Sequence, residues 1–322
     1  MSRATKVQPL IILFIHNRSS PFKSGNIMKQ MFMLGFLIVC LCIFAPDNDC
    51  QEIDKPNTKV TYYDEETYVT KEIRNFSIAE AQRNGIYKSV TTFDKYGRIV
   101  QTEELFTPEA AKKDGILRRT RFLDRNGLLT RIETEYTPDN LKDPGVRQSV
   151  FFLRPNGLKE RVELVYAPDS AEQSGYYKIE FFYNVDGRKT HENLYHTKNK
   201  ADQQGVFKST ISYDPTGPKR SVTWWMTDAY ISAEQITKVV FYYDSNGDEI
   251  KQEGHFTSSK AKELGYYKTI VFHDHTGHKL KEERFYLQSS QNAKSYFKGV
   301  ITYDQDGNII REERFDKYGN PF

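Results

Sequence analysis

From residue 85 onward, eight-residue runs of aromatic and β-branched residues alternate with short polar segments, and the pattern recurs every 30 residues. The segment 265–287 shows one unit. A run built on Tyr, Ile, Val and Phe reads as a first strand, a polar turn follows, and about nine residues form a second strand. Two glycine series advance in step with this pattern. One runs Gly85, Gly115, Gly145, Gly175, Gly205, Gly265. The other runs Gly97, Gly127, Gly157, Gly187, Gly217, Gly247, Gly277, Gly307 without a gap. A fixed period over such a length marks a tandem array in which one small unit is copied about eight times.

The polar segments predict a specific turn. They begin with Asp or Asn (Asp94, Asp124, Asn184, Asp214, Asp244, Asp304; Arg154 is an exception) and end with glycine three residues later. A carboxylate or amide in the first place can accept from a backbone N–H two residues on, and Pro155 and Pro215 preset the φ of the second place. Glycine in the fourth place supplies the left-handed conformation of a type I turn with a G1 bulge, so each unit is a hairpin.

Between hairpins the sequence predicts a helix of about two turns. Thr107, Pro108, Glu109 and Gly115 supply an N-cap, a first-position proline, a first-turn acid and a glycine stop. The segments 137–145, 167–175 and 257–265 repeat the scheme, the last without proline. So short a helix is unstable alone and must dock on the sheet. Ala111, Ala171, Ala201 and Ala261 share one repeat position and are the expected contacts.

The fold class that results is mainly β: an elongated array of 30-residue units, each a β-hairpin plus a short helix. A continuous sheet of two strands per unit would reach roughly 75–80 Å. Strict alternation places Tyr87, Tyr177, Phe207, Tyr267 and Phe297 on one face with Phe93, Phe181, Tyr213 and Phe241. Lys88, Lys178, Lys208, Lys238, Lys268 and Lys298 fall on the other. In the second strand Glu103, Glu133, Glu163, Glu253, Glu283 and Glu313 recur, with Arg131, Arg161, Lys251, Lys281 and Arg311 two places earlier. This reads as a solvated charge ladder, each pair worth about 0–1 kcal/mol. An acid in nearly every unit is a structural device, whereas catalysis needs one special pair.

Composition adds a leader and removes some function classes. Residues 31–45 are an unbroken apolar run preceded by Lys29, too short to span a membrane but fitting a signal peptide. Met28 looks like a natural start, which would make 1–27 a mis-assigned extension. The expected organisation is a leader over 1–50, an N-terminal cap and partial repeat over 51–84, and tandem repeats with a C-terminal cap over 85–322. The implied destination is export, to the periplasm, the outer surface or the extracellular space. Membrane contact is expected only through the leader, if it is uncleaved or lipidated. The leader holds all three cysteines (Cys40, Cys42, Cys50), so the repeats have no thiol chemistry. It also holds the surplus of basic residues. The rest of the chain is balanced in charge, which argues against nucleic-acid binding.

Three places could carry chemistry. The Asp-x-Asn-Gly turns resemble the start of a calcium loop but lack its later ligands, and turn chemistry explains them. His273, His275 and His278 crowd one turn and could chelate a transition metal; the alternative is ordinary exposed histidines. The repeat holding Trp224, Trp225 and Tyr230 departs most from the pattern, with Thr223 in place of the ladder glutamate and Gln235 in place of the glycine stop. Its aromatics could stack a sugar or anchor a partner; the alternative is divergent core packing. Asn75 to Ser77 fits a glycosylation acceptor. No hydrolase, metalloprotease, phosphate-loop or dinucleotide motif is present, and no cofactor is expected.

The stretches Tyr303-Asp-Gln-Asp-Gly307-Asn-Ile-Ile and Phe315-Asp-Lys-Tyr-Gly319-Asn-Pro resemble the serial hairpins of bacterial MORN-like, toxin–antitoxin-associated and YD-repeat proteins. The resemblance extends over about 85–322, although the 30-residue period and the proline-started helix are departures. It implies a binding scaffold. The expectation is a non-enzymatic repeat protein that binds an unidentified protein or glycan. A structural spacer is the alternative, and a metal- or carbohydrate-dependent enzyme centred on His273 or Trp224 is a weaker one.

Overall fold

A computed structural model describes residues 56–66, 68–139, 145–287 and 296–322. The leader with its three cysteines lies outside the described residues, and so does the helix expected after Pro138. The strands are β1 (Thr58–Tyr63), β2 (Val69–Asn75), β3 (Ile86–Phe93), β4 (Ile99–Phe106), β5 (Ile116–Leu123), β6 (Leu129–Tyr136), β7 (Val146–Leu153), β8 (Lys159–Tyr166) and β9 (Tyr176–Tyr183). They continue as β10 (Lys189–His196), β11 (Val206–Tyr213), β12 (Lys219–Met226), β13 (Ile236–Tyr243), β14 (Glu249–Phe256), β15 (Tyr266–His273), β16 (Lys279–Tyr286), β17 (Lys298–Tyr303) and β18 (Ile309–Phe315). The helices are α1 (Ile78–Asn84), α2 (Pro108–Asp114), α3 (Pro168–Ser174), α4 (Lys198–Gln204), α5 (Asp228–Glu234) and α6 (Ser258–Leu264).

Every strand pairs antiparallel with its neighbour in sequence, so the 18 strands form one open meander. The mainly β hairpin array expected from the period is the architecture observed. It begins one hairpin earlier than the glycine series implies. Asp64 makes the same turn bonds as the later repeats although the turn glycine is missing: its Oδ1 accepts from the N–H groups of Glu66 and Tyr68. Helix α1 follows, opened by a reciprocal Ser77–Glu80 capping box.

The turns follow the expected chemistry. Gly97 N–H donates to the Asp94 carbonyl at 2.9 Å, and Asp94 N–H donates to the Arg98 carbonyl at 2.9 Å. Gly97 sits at φ 75°, the left-handed region that a type I turn with a G1 bulge requires. Asp94 Oδ1 accepts from the N–H groups of both Tyr96 and Arg98. Asp124, Asp244, Asp274 and Asp304 repeat this double bond. These carboxylates serve the turns themselves, which accounts for the calcium-like motif.

The helices also form as expected. The hydroxyls of Thr107, Thr197, Thr227 and Thr257 accept from the third N–H of their helices. Ala167 cannot do so, and Pro168 opens that helix. The alanine that faces the sheet is buried in α1, α2, α3, α4 and α6 (Ala81, Ala111, Ala171, Ala201, Ala261). Consecutive described helices are tied together: Thr107 N–H donates to the Gly85 carbonyl and Thr227 N–H to the Gly205 carbonyl. A Cβ on Gly205 would lie 2.3 Å from Cδ2 of Tyr230 in the next helix. That glycine is therefore required twice, for its positive φ and for close approach.

One expectation about facing fails. The first strands β3, β5, β7, β9, β11, β13 and β15 carry a two-for-one bulge at the second residue: Ile86 pairs with Phe106 and Lys88 with Leu105, leaving Tyr87 unpaired. The extra residue breaks the alternation, so two successive side chains take the same side. Tyr87, Tyr177, Phe207 and Tyr267 are consequently exposed beside the lysine row and are not with Phe181 and Phe241 in the core. Contacts at 6.0 Å between Tyr177 and Tyr195 and at 6.4 Å between Tyr267 and Phe285 confirm the side they occupy.

The registers then define two faces, because opposed residues share a side. The helix face carries Val222, Val239 and Phe241, packed with Val206, Met226 and the α5 residues Tyr230 and Ile231. The ladder face carries a central row across the sheet: Glu133, Val150, Glu163, Glu180, Asn193, Thr210, Thr223, Val240, Glu253, Ile270, Glu283.

Candidate functional site

On the ladder face, two rows of cations bracket the central row. Within a second strand the cation and the glutamate two places on form ion pairs: Arg131–Glu133 at 3.1 Å, Arg161–Glu163 at 2.9 Å, Lys251–Glu253 at 3.1 Å and Lys281–Glu283 at 3.0 Å. The lysine or arginine opening the next first strand reaches the same glutamate diagonally, as in Arg118–Glu103 at 3.5 Å, Lys178–Glu163 at 2.9 Å and Lys298–Glu283 at 3.7 Å. The charge ladder read from the sequence is thus present, but it is half-buried.

A second device lies on this face and is not apparent from alternation alone. The second-strand cation covers the aromatic ring of its cross-strand partner: Arg131 over Phe122 (3.7 Å), Arg161 over Phe152 (4.0 Å), Lys251 over Tyr242 (3.6 Å) and Lys281 over Phe272 (4.1 Å). His191 stacks on Phe182 at 4.1 Å in the same place. Cation and ring meet because the register pairs them directly.

Glu180 is the most enclosed acid of the central row. Burial alone would raise its pKa, but hydrogen bonds from Lys178, Asn193 and Tyr195 bring it down to about 2.

Both devices lapse together around β12. Ser212 opposes Ser221 where the flanking hairpins set Phe182 against His191 and Tyr242 against Lys251; Thr92–Gln101 and Thr302–Arg311 near the two ends of the array also lack the ring. Asn193 and Thr223 stand where the repeats from β4 onward otherwise have glutamate. The lysines that such glutamates would meet, Lys208 and Lys238, form no ion pair among the described residues; the nearest row acid, Glu253, is engaged by Lys251 and His255. Trp225 lies between these lysines in register, opposite Lys208 on β11 and Lys238 on β13. Lys238 Nζ is 5.4 Å from the Trp225 ring centre, and Lys208 Nζ is 5.2 Å from the ring of Tyr195. Trp225 is 38% exposed.

The structure does not gather Trp224, Trp225 and Tyr230 into one cluster. Successive strand residues point to opposite sides, so Trp224 faces the helix side and meets Phe241 edge-on at 4.6 Å. Tyr230 belongs to the α5 core and lies against Gly205. Only Trp225 faces the ladder side. The histidines are likewise apart. His273 Nδ1 lies 3.6 Å from Glu249 Oε1; burial holds this imidazole below its usual range and pushes the Glu249 carboxyl up. His278 accepts or donates at 2.8 Å with Thr276 Oγ1 at the turn, and His275 is exposed. Among the described residues no group of three or more His, Cys, Asp or Glu is placed to hold a metal ion. Asn75 is 5% exposed and its amide donates to Thr58 Oγ1, so the side chain is enclosed within the fold.

No protein-family model and no curated protein matches the chain. It is similar to crystal structures of TcdB2-TccC3 (11% identity, TM-score 0.18, 79% of this chain and 13% of that one). It is also similar to TcdB2-TccC3-Cdc42 (10% identity, TM-score 0.18, 82% of this chain and 14% of that one). The chain thus spans a small part of the length of either.

Proposed function

We propose that this chain is an exported, non-enzymatic repeat scaffold that binds a protein or glycan at the cell envelope or outside the cell. The supporting observation lies on β12: Thr223 replaces the ladder glutamate, Ser212–Ser221 replaces the ring–cation pair, and an exposed tryptophan sits between two lysines that form no ion pair among the described residues. Departures from local rules without structural gain are expected at functional sites. Export rests on the apolar run 31–45 behind Lys29.

Affinity capture from envelope and culture medium, using the full chain, tests the reading. A partner captured by the wild type and by Trp224→Ala but lost with Trp225→Ala supports it. A partner retained by both variants, or none captured, overturns it. Fractionation and sequencing of the mature N-terminus test export; retention in the cytoplasm with an intact leader would refute it.

A further inference from the structure

We infer that the Trp225 patch of the ladder face binds an acidic glycan whose charges are spaced by neutral sugars. One sugar ring lies on Trp225, and the flanking acid groups meet Lys208 and Lys238. The inference rests on the scaffold reading above and names its ligand class.

The argument begins with charge. In the ladder, Lys178 meets Glu163 and Lys298 meets Glu283 diagonally on the preceding strand. For Lys208 that place is Asn193, and for Lys238 it is Thr223. Two half-buried cations are thus left to solvent or to a ligand, and both border the same ring. They lie on strands two apart, so their backbones flank Trp225 at roughly 10 Å from one another, a span that two linked sugars cover.

Shape points the same way. The bulges bring exposed rings to this face in several units, with Tyr177 against Tyr195 and Tyr267 against Phe285. Phe207 takes the corresponding place beside Trp225 and is 46% exposed. A row of flat apolar faces across the strands suits a polymer of rings. A peptide adding as a strand would need free backbone edges, and β11, β12 and β13 are paired on both sides. A nucleic acid carries a phosphate at every unit and would meet Glu180 and Glu253, which close the patch at either end of the central row.

The test uses hyaluronan oligosaccharides, which carry one carboxylate on every second sugar, with dextran, polyglutamate and oligothymidylate as comparison probes. Hyaluronan should bind the full chain and weaken as salt rises. Trp225→Ala should reduce affinity by at least about tenfold, whereas Trp224→Ala on the opposite face should not. Thr223→Glu is the informative variant. It restores the acid that other repeats carry, so it should pair with Lys238 and lose binding about tenfold without loss of fold. Equal binding of polyglutamate or oligothymidylate, or undiminished binding by Thr223→Glu, overturns the inference. If hyaluronan fails to bind while affinity capture still loses a partner with Trp225→Ala, the scaffold reading stands and the glycan assignment falls.

Discussion

Trp224 and Trp225 are neighbours in the chain but occupy opposite faces of the sheet, Trp224 opposite Val239 and Trp225 opposite Lys238. Their roles separate accordingly. Trp224 packs edge-on against Phe241 at the margin of the α5 core. Trp224→Ala should therefore lower stability by about 2 kcal/mol, below the cost of deleting a fully buried aromatic because the ring is partly exposed. Trp225→Ala should cost less than about 1 kcal/mol, as a surface substitution. Urea denaturation of the two variants checks the difference; an equal loss would place both rings in the core.

Gly205 and Gly97 both lie at positive φ, yet alanine should affect them differently. At Gly97 nothing lies within 4 Å of an added Cβ, so the cost is backbone strain alone, about 1–2 kcal/mol. At Gly205 the added carbon would also strike the Tyr230 ring at 2.3 Å, and overpacking adds about 1–3 kcal/mol. Combining Gly205→Ala with Tyr230→Ala should recover the overpacking part. A double-mutant cycle with no coupling would show that the helices do not touch there.

These glycines also show what could be read without the structure. Turn and cap residues act within four or five positions, so Asp94, Gly97, Thr107 and Gly115 announce their roles in local sequence. The hairpin–helix unit follows from them. The bulge does not, because nothing in Tyr87 or Lys88 signals an extra unpaired residue. Its consequence is nonlocal: one inserted position moves a whole row of aromatics from the core to the surface. The same limit hid the site. Thr223 and Gln235 were visible as departures, but only the register showed that Lys208, Trp225 and Lys238 lie side by side and that Tyr230 belongs elsewhere. For the histidines, closeness in sequence did not become convergence, because His273 ends a strand whereas His275 lies in the exposed turn and His278 just after it.

The ring–cation row predicts a repair. Ser212 and Ser221 are directly paired and share the ladder face. Replacing them by Phe and Arg, the pair found at Phe152 and Arg161, should stabilise the chain by about 0.5–1 kcal/mol when both changes are made. Either change alone should give less than half of that. Additive single effects in thermal unfolding would mean that the ring and the cation do not interact.

His196 predicts an acid-labile step. The residue is 7% exposed, its Nε2 bonds Ser209 Oγ at 2.9 Å, and its Nδ1 finds no partner among the described residues. Burial, with Lys200 nearby, brings its pKa down to about 4. The unfolded chain, near 6.5, takes up the proton first, so the neutral histidine stabilises the fold fully above pH 6.5. That contribution falls as pH drops from 6.5 toward 4, with a total on the order of 3 kcal/mol. His191, His255 and His273 are lowered by burial in the same sense, so a difference between variants is needed. The repeat itself supplies the variant: Tyr136 occupies the equivalent place and bonds Ser149 Oγ at 2.9 Å. His196→Tyr should keep stability near pH 7 within about 1 kcal/mol and flatten the stability profile between pH 6.5 and 4. Parallel profiles for the wild type and His196→Tyr across that window would show that His196 does not titrate there.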